Sequence, residues 1–366
     1  MRESLVPAPL ALIPWRLILV IVAIGLFGLV VLYSAAGGSL QPWAWSQGLR
    51  FLLFLGAALV LSRVPERIVK GSAFPIYGLL LLLLMIVELF GFVGGGSQRW
   101  LDLGIVRIQP SELMKPVIVL VLATFYDQLP ASETRRFTAI WPAAVLIGVP
   151  AALVLLQPDL GTAMMIVAGG IVVTFLAGLP LRLYVGGAAL LAAAMPIALG
   201  LMHDYQRNRV LIFLNPESDP LGTGYHISQS KIAIGSGGLF GKGFLNGTQS
   251  HLDYLPEGHT DFVFATMAEE WGLAGGLFLI VAFLLVVNWG IRVSLRARTR
   301  FGRLAAAGLA TTIFLYVAIN LMMVMGLAPV VGIPLPLVSF GGSAMMTVML
   351  CLGLLMAIDR DARAPS

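Results

Sequence analysis

Apolar runs about as long as the roughly 20 residues that cross a bilayer as a helix recur along almost all of this 366-residue chain. A segment surrounded by lipid must satisfy its backbone hydrogen bonds internally, so these runs predict helices rather than open sheets. They fall near 15–35, 46–63, 74–93, 111–128, 139–156, 160–178, 182–202, 262–289, 304–327 and 336–358. The expected fold is an all-α polytopic membrane protein with about ten transmembrane helices. It forms one integral domain over 1–366, with a large extracytoplasmic loop, 203–261, between the seventh and eighth spans. Only Gln157-Pro158-Asp159 separates the fifth and sixth spans, and Glu269-Glu270 interrupts the eighth.

Charge fixes the expected sidedness. Arg63, Arg67, Lys70, Arg135, Arg136, Arg292, Arg296, Arg298, Arg300 and Arg303 all follow even-numbered spans. The loop after the third span has only Arg99 and Arg107. Basic residues in short loops are retained in the cytoplasm, so both termini are predicted cytoplasmic and the 203–261 loop lies outside. The net charge of +5 therefore reports orientation in a membrane and not nucleic-acid binding. The run from Leu17 to Leu32 is long for a cleaved signal core, which predicts a retained first helix. A single cysteine, Cys351, excludes an intramolecular disulfide and a thiolate metal site.

Four polar constellations fall on the predicted outer side. In GGGSQRWLDLGIVRIQPSELMK, 94–115, Ser111 and Glu112 after Pro110 make a helix start. Lys115, in the first turns of a span, must snorkel, pair with Glu112 or meet an anionic ligand. In the second, 204–243, Arg207 and Arg209 could form a guanidinium fork for a phosphate headgroup. The glycine-rich run 235–243 fails the phosphate-loop pattern, because Lys242 is followed by glycine.

The third constellation gathers Asp253, Glu257, His259 and Asp261 within nine residues. One histidine with scattered carboxylates lacks metal-ligand spacing. Asp261, just before Phe262-Val263-Phe264, supports two readings: a helix cap, or a base that accepts a substrate proton. The fourth, GIPLPLVSFGGSA at 332–344, is an irregular entry into the last span, tolerated at membrane depth where it lines a cavity.

QRWLDLG with QPSELMK, QPDLGTA, LPEGHTDFVFA with AEEWG, and PLVSFGGSA resemble, in this order, the motifs of the SEDS family (shape, elongation, division and sporulation). The resemblance spans nearly the whole chain. The short N-terminal tail and VVGIPLPLVSFGGSA look more like the family's rod-shape branch than its division branch. It implies a peptidoglycan glycosyltransferase that polymerises lipid II outside the cytoplasmic membrane, alongside a class B penicillin-binding protein and the elongation machinery.

The aspartate of the family's H-T/N-D motif falls on Asp261, and an acidic position eight residues earlier falls on Asp253. Trp100, Glu112, Glu257, His259 and Ser339 join Lys115, Arg207, Arg209 and Asp253 as expected substrate-binding residues. Phe340 departs from the tyrosine of many members, so no hydroxyl role carries over there.

The implied chemistry is displacement of undecaprenyl pyrophosphate by a sugar hydroxyl. Pyrophosphate leaves unprotonated, so one base suffices, with Lys115, Arg207 and Arg209 as cations for the departing charge. No cofactor is called for, and the residues leave open whether a divalent cation assists. A lipid II transporter is the rival reading; it would use polar groups within the spans, of which Glu88, Lys115, Glu269, Glu270 and Asn320 are the candidates. A noncatalytic scaffold for wall enzymes is the third.

Overall fold

The computed structural model describes residues 12–94, 97–102, 107–130, 132–201, 207, 212–213, 219, 222–252, 254–255 and 257–364. Every expected span coincides with a helix. The first six are α1 (Trp15–Ala35), α2 (Ala44–Leu61), α3 (Glu66–Phe90), α4 (Pro110–Gln128), α5 (Phe137–Leu156) and α6 (Leu160–Ala177). After α7 (Leu181–Leu201), the described part of the loop carries α8 (Thr223–Gly237) and α9 (Thr248–His251), before α10 (Val263–Arg296), α11 (Arg300–Val324) and α12 (Gly342–Arg363). Among the described residues, eight helices are long and apolar enough to cross a membrane; α4 and α7 are not among them.

The reason α4 falls short of that hydropathy is its position. Fifteen of its 19 residues are buried, Glu112 and Lys115 included, so protein and not lipid surrounds it. Helices α3, α6, α11 and α12 pack around it. In lipid, apolar area gives little drive for helices to associate, and close packing of small residues supplies it instead. At Gly308 of α11 an added Cβ would stand 2.5 Å from Val119 of α4, and at Gly353 of α12 one would stand 2.9 Å from the Ala58 carbonyl of α2.

Three departures from the expected boundaries have local causes. Helix α3 begins at Glu66 rather than near 74, because Pro65 in extended backbone launches the helix and Glu66 occupies its first turn. Helix α10 is kinked at Gly272, where φ is +62°, and runs on to Arg296. The last span starts at Gly342 rather than 336, because Ser339 Oγ accepts the Leu335 N–H (2.8 Å) and holds the preceding residues in a turn.

The sheet among the described residues is a small antiparallel ribbon of β1 (Phe92–Gly94), β2 (Ser97–Asp102) and β3 (Arg107–Ile108), in that order, between α3 and α4. Trp100 stands opposite Phe92, and Leu101 opposite Ile108. It is the exception in a nearly all-helical chain.

The ends of the bundle are chemically distinct. Asp261, the ribbon and the segment 325–341 gather at one end. At the other, Lys70 pairs with Asp127, Thr299 donates to Glu66, and Arg300 donates to the Leu129 carbonyl (2.7 Å).

Candidate functional site at the start of α10

The chain enters α10 through a tight turn. Glu257 takes up left-handed backbone there, with φ at +57°, and its carbonyl accepts the N–H groups of Thr260 (3.0 Å) and Phe262 (3.2 Å). Thr260 Oγ1 donates to the Glu257 carboxylate. Three successive carbonyls then receive donors from elsewhere in the fold. The Phe340 N–H bonds the His259 carbonyl (2.9 Å), Ser339 Oγ the Thr260 carbonyl (2.7 Å) and Asn320 Nδ2 the Asp261 carbonyl (2.9 Å). Gln47 Nε2 braces this arrangement by donating to the Ser339 carbonyl at 2.5 Å.

With its main chain held this way, Asp261 projects a half-buried carboxylate toward Gly332. Its Oδ2 lies 3.5 Å from where a Cβ on Gly332 would stand. The N-cap position of α10 is Phe262, with no side-chain cap bond, so Asp261 precedes the cap rather than filling it.

His259 stacks on Trp43, with ring centroids 4.0 Å apart and planes 10° off parallel. Burial holds its imidazole below the ordinary range, against the opposing pull of Glu257. Phe340 lies 6.3 Å from the His259 ring and carries the Arg50 guanidinium 4.9 Å above its own. That aromatic face accounts for a ring at position 340 without a hydroxyl.

Other motifs converge through backbone contacts. Arg99 donates to the carbonyls of Gln157 (3.1 Å) and Pro158 and pairs with Asp159 at 3.7 Å, which fastens the ribbon to the turn between α5 and α6. Gly161, at the start of α6, abuts the Val331 carbonyl, so only a residue without a side chain fits there. Asn320 also donates to the Ile333 carbonyl (2.8 Å), which closes the circuit back to Asp261.

The remaining expected residues divide. Lys115 donates to Glu112 (2.6 Å) and to the Tyr316 hydroxyl (3.0 Å), and that hydroxyl donates to Glu112 in turn. Thr347 Oγ1 reaches the Glu112 carbonyl at 3.3 Å. This cluster is buried, with Lys115 only 2% exposed, one helical turn along α11 from Asn320. The Ser339 hydroxyl is likewise used within the protein. Trp100 is half-buried on the ribbon, and Glu257 and Arg207 are exposed. Arg209 and Asp253 lie outside the described residues.

Sequence reasoning left the role of Glu269 open, and the structure supplies it. Its buried carboxylate accepts from Lys242 Nζ (2.6 Å) and from the main-chain N–H groups of Thr248 (2.9 Å) and Gln249 (3.0 Å) at the head of α9. Ser34 Oγ donates to Glu270 at 2.5 Å. The Lys242 and Gly243 N–H groups bond the carbonyls of Glu269 and Glu270, so the loop between α7 and α10 is bound to α10 beside its kink. Two carboxylates inside an apolar run, with a glycine-rich lysine segment nearby in sequence, were the available signal.

This architecture defines a polytopic membrane protein whose sequence motifs converge on one carboxylate at one end of the bundle. The family described as cell cycle protein, comprising FtsW, RodA and SpoVE, matches residues 14–364, and the chain belongs to this SEDS family. It is 47% identical over 343 residues to the peptidoglycan glycosyltransferase MrdB of Escherichia coli, covering 93% of this chain and 92% of that one. It is 36% identical over 320 residues to the probable peptidoglycan glycosyltransferase FtsW of Coxiella burnetii, covering 85% of each.

Among solved structures, one of a peptidoglycan synthase complex that coordinates polymerization and crosslinking matches with a TM-score of 0.83 at 34% identity, covering 96% of this chain and 98% of that one. The rod shape determining protein RodA of Thermus thermophilus matches with a TM-score of 0.73 at 31% identity and the same coverage, 96% and 98%.

Proposed function

We infer that this chain is a peptidoglycan glycosyltransferase that polymerises lipid II into glycan strands during cell elongation, in complex with a class B penicillin-binding protein in the cytoplasmic membrane. Asp261 is the general base. The acceptor sugar hydroxyl gives its proton to the Asp261 carboxylate as its oxygen bonds the anomeric carbon of the donor. The bond from that carbon to undecaprenyl pyrophosphate breaks, and its electron pair leaves on the pyrophosphate.

The observation that carries this reading is the Asp261 turn. Three consecutive carbonyls pinned by Phe340, Ser339 and Asn320 fix the backbone that aims the carboxylate, which is what a positioned base requires. Ser339 and Asn320 act as positioning residues. Arg207 and Arg209 are the cations assigned to the departing pyrophosphate, while Lys115 and Glu112 hold α4 against α11 and α12 beneath the site.

The chain crosses the membrane ten times with both termini cytoplasmic, and the Asp261 end faces outward. The concentration of arginines at the opposite end supports this orientation.

The test is polymerisation of labelled lipid II by purified protein with its penicillin-binding partner, comparing wild type with Asp261→Asn at matched folding and complex formation. A base predicts a loss of roughly 10²–10⁴-fold. Undiminished polymer would remove Asp261 from the chemistry.

A further inference from the structure

We propose that the end of the bundle remote from Asp261 carries a binding site for the phosphate headgroup of an anionic phospholipid, built from Arg16, Arg292 and Arg296. A cavity of about 410 Å³ opens where the start of α1 meets the ends of α10 and α12, and these three arginines line it together with Arg363 and Asp359. Arg363 is already committed: its Nε donates to Asp359 at 3.1 Å, and the Asp359 carboxylate is buried. That pair forms a wall of no net charge.

The other three arginines contribute three positive charges to one cavity. Among the described residues none of them has a carboxylate within ion-pair distance, and the Asp359 carboxylate that attracts Arg296 is the one Arg363 already holds. Several cations at this end are spent within the protein, Lys70 on Asp127, Arg360 on Asp361 and Arg300 on the Leu129 carbonyl, whereas Arg16, Arg292 and Arg296 share one cavity. Compensation of helix dipoles accounts for single basic residues at the ends of α10 and α12. It does not account for Arg16, at the positive end of α1, facing the same cavity.

Arg292 and Arg296 stand one turn apart on one face of α10, and all three arginines are exposed and able to close on a ligand. A phosphodiester offers two nonbridging oxygens that match the guanidinium fork. The surroundings select a lipid over a soluble phosphate. Trp15 and Trp289 line the cavity, as indoles do at headgroup level, and Leu17 and Val293 supply apolar surface. Leu19 and Leu295, 68% and 78% exposed, lie one turn from Arg16 and Arg292 and present a surface for the acyl chains. The site stands apart from the glycosyltransferase reading and does not depend on it.

The experiment places the purified full chain in nanodiscs of phosphatidylcholine with a minor fraction of phosphatidylglycerol and reads the retained lipid by native mass spectrometry. Wild type should retain phosphatidylglycerol about tenfold in excess of its share of the bilayer, the effect of a little over one surface charge's attraction. The combined variant Arg16→Gln, Arg292→Gln, Arg296→Gln should lose that enrichment. The matched variant Arg63→Gln, Arg67→Gln, Arg135→Gln, with the same loss of charge at other positions, should keep it.

Arg292→Gln alone should reduce enrichment about fivefold, which is one surface charge's share, and serves if the combined variant does not fold. Equal retention of phosphatidylcholine, or equal loss in the matched variant, would overturn the site. Displacement of the lipid by soluble glycerol phosphate at equal concentration would assign the cavity to free phosphate and overturn the lipid.

Discussion

The carboxamide of Asn320 donates to the Asp261 carbonyl at 2.9 Å and to the Ile333 carbonyl at 2.8 Å, so one side chain on α11 ties together the two loops that meet at the carboxylate. Replacing Asn320 by leucine leaves both carbonyls without this donor, at about 1–3 kcal/mol for each buried group. The loops would separate, and a displacement of about 1 Å costs roughly 10²-fold in rate. Polymerisation by Asn320→Leu should fall by that order while the complex with the penicillin-binding partner still forms. Wild-type activity in a folded variant would show that the tie does not position Asp261.

The Glu112, Lys115 and Tyr316 cluster makes a prediction about stability. Because the ion pair is buried, removing one partner strands the other's charge, which costs about 3–5 kcal/mol. Glu112→Met and Lys115→Met should each lower the midpoint of thermal unfolding in detergent. The double variant Glu112→Met, Lys115→Met should recover part of the loss, since no charge is left unpaired. Additive losses in this cycle would argue that the two groups act independently.

Glu269 should govern the loop between α7 and α10 more than the bundle. Its carboxylate caps α9 and holds the Lys242 side chain, so Glu269→Ala releases residues 244–252, while the main-chain bonds of Lys242 and Gly243 to α10 and the packing of the spans remain. Limited proteolysis should cut this segment at least about tenfold faster in the variant than in wild type, a lower bound set by the roughly 1.5–3 kcal/mol of a single charged hydrogen bond. An unchanged cleavage rate would show that the loop is held by other contacts.

Hydropathy made the helices legible, because lipid imposes a length and a polarity on each span. It failed at their ends, where Glu66 and Arg296 continue helices beyond the apolar core. The motifs singled out Asp261 as the candidate carboxylate, and its main-chain surroundings came only from the fold. The residues that position it were harder to read, because Asn320 and Ser339 act on main-chain carbonyls 59 and 79 residues away, and no side-chain pattern records such a contact. Asn320 reads in the sequence only as a polar group within a span. Ser339 reads as a substrate contact, although its hydroxyl bonds Thr260 and Leu335.

The histidines set a pH dependence. Burial lowers the folded-state values of His259 and His226 below the ordinary imidazole value of about 6.5, so the unfolded chain binds these protons more readily. Their stabilising contribution is complete above that value and is lost as pH falls through it toward the lower folded values. Thermal stability should therefore drop as pH falls below about 6.5, and His259→Gln should flatten part of the fall. A variant with an unchanged pH profile would exclude His259 as a source of it.

Gly332 separates the space beside the carboxylate from the carboxylate itself. Its φ of +71° makes any side chain strained, by roughly 1–2 kcal/mol for alanine, yet the added methyl would sit 3.5 Å from Asp261 Oδ2, an ordinary contact. Gly332→Ala should therefore fold while narrowing the region through which an acceptor hydroxyl would reach Asp261, the proposed base. The expected signature is a raised KM for lipid II with a smaller change in kcat. Asp261→Asn should do the reverse, because it leaves the space open and removes the proton acceptor. If Gly332→Ala left both constants unchanged in a folded protein, the acceptor would have to approach Asp261 from another side.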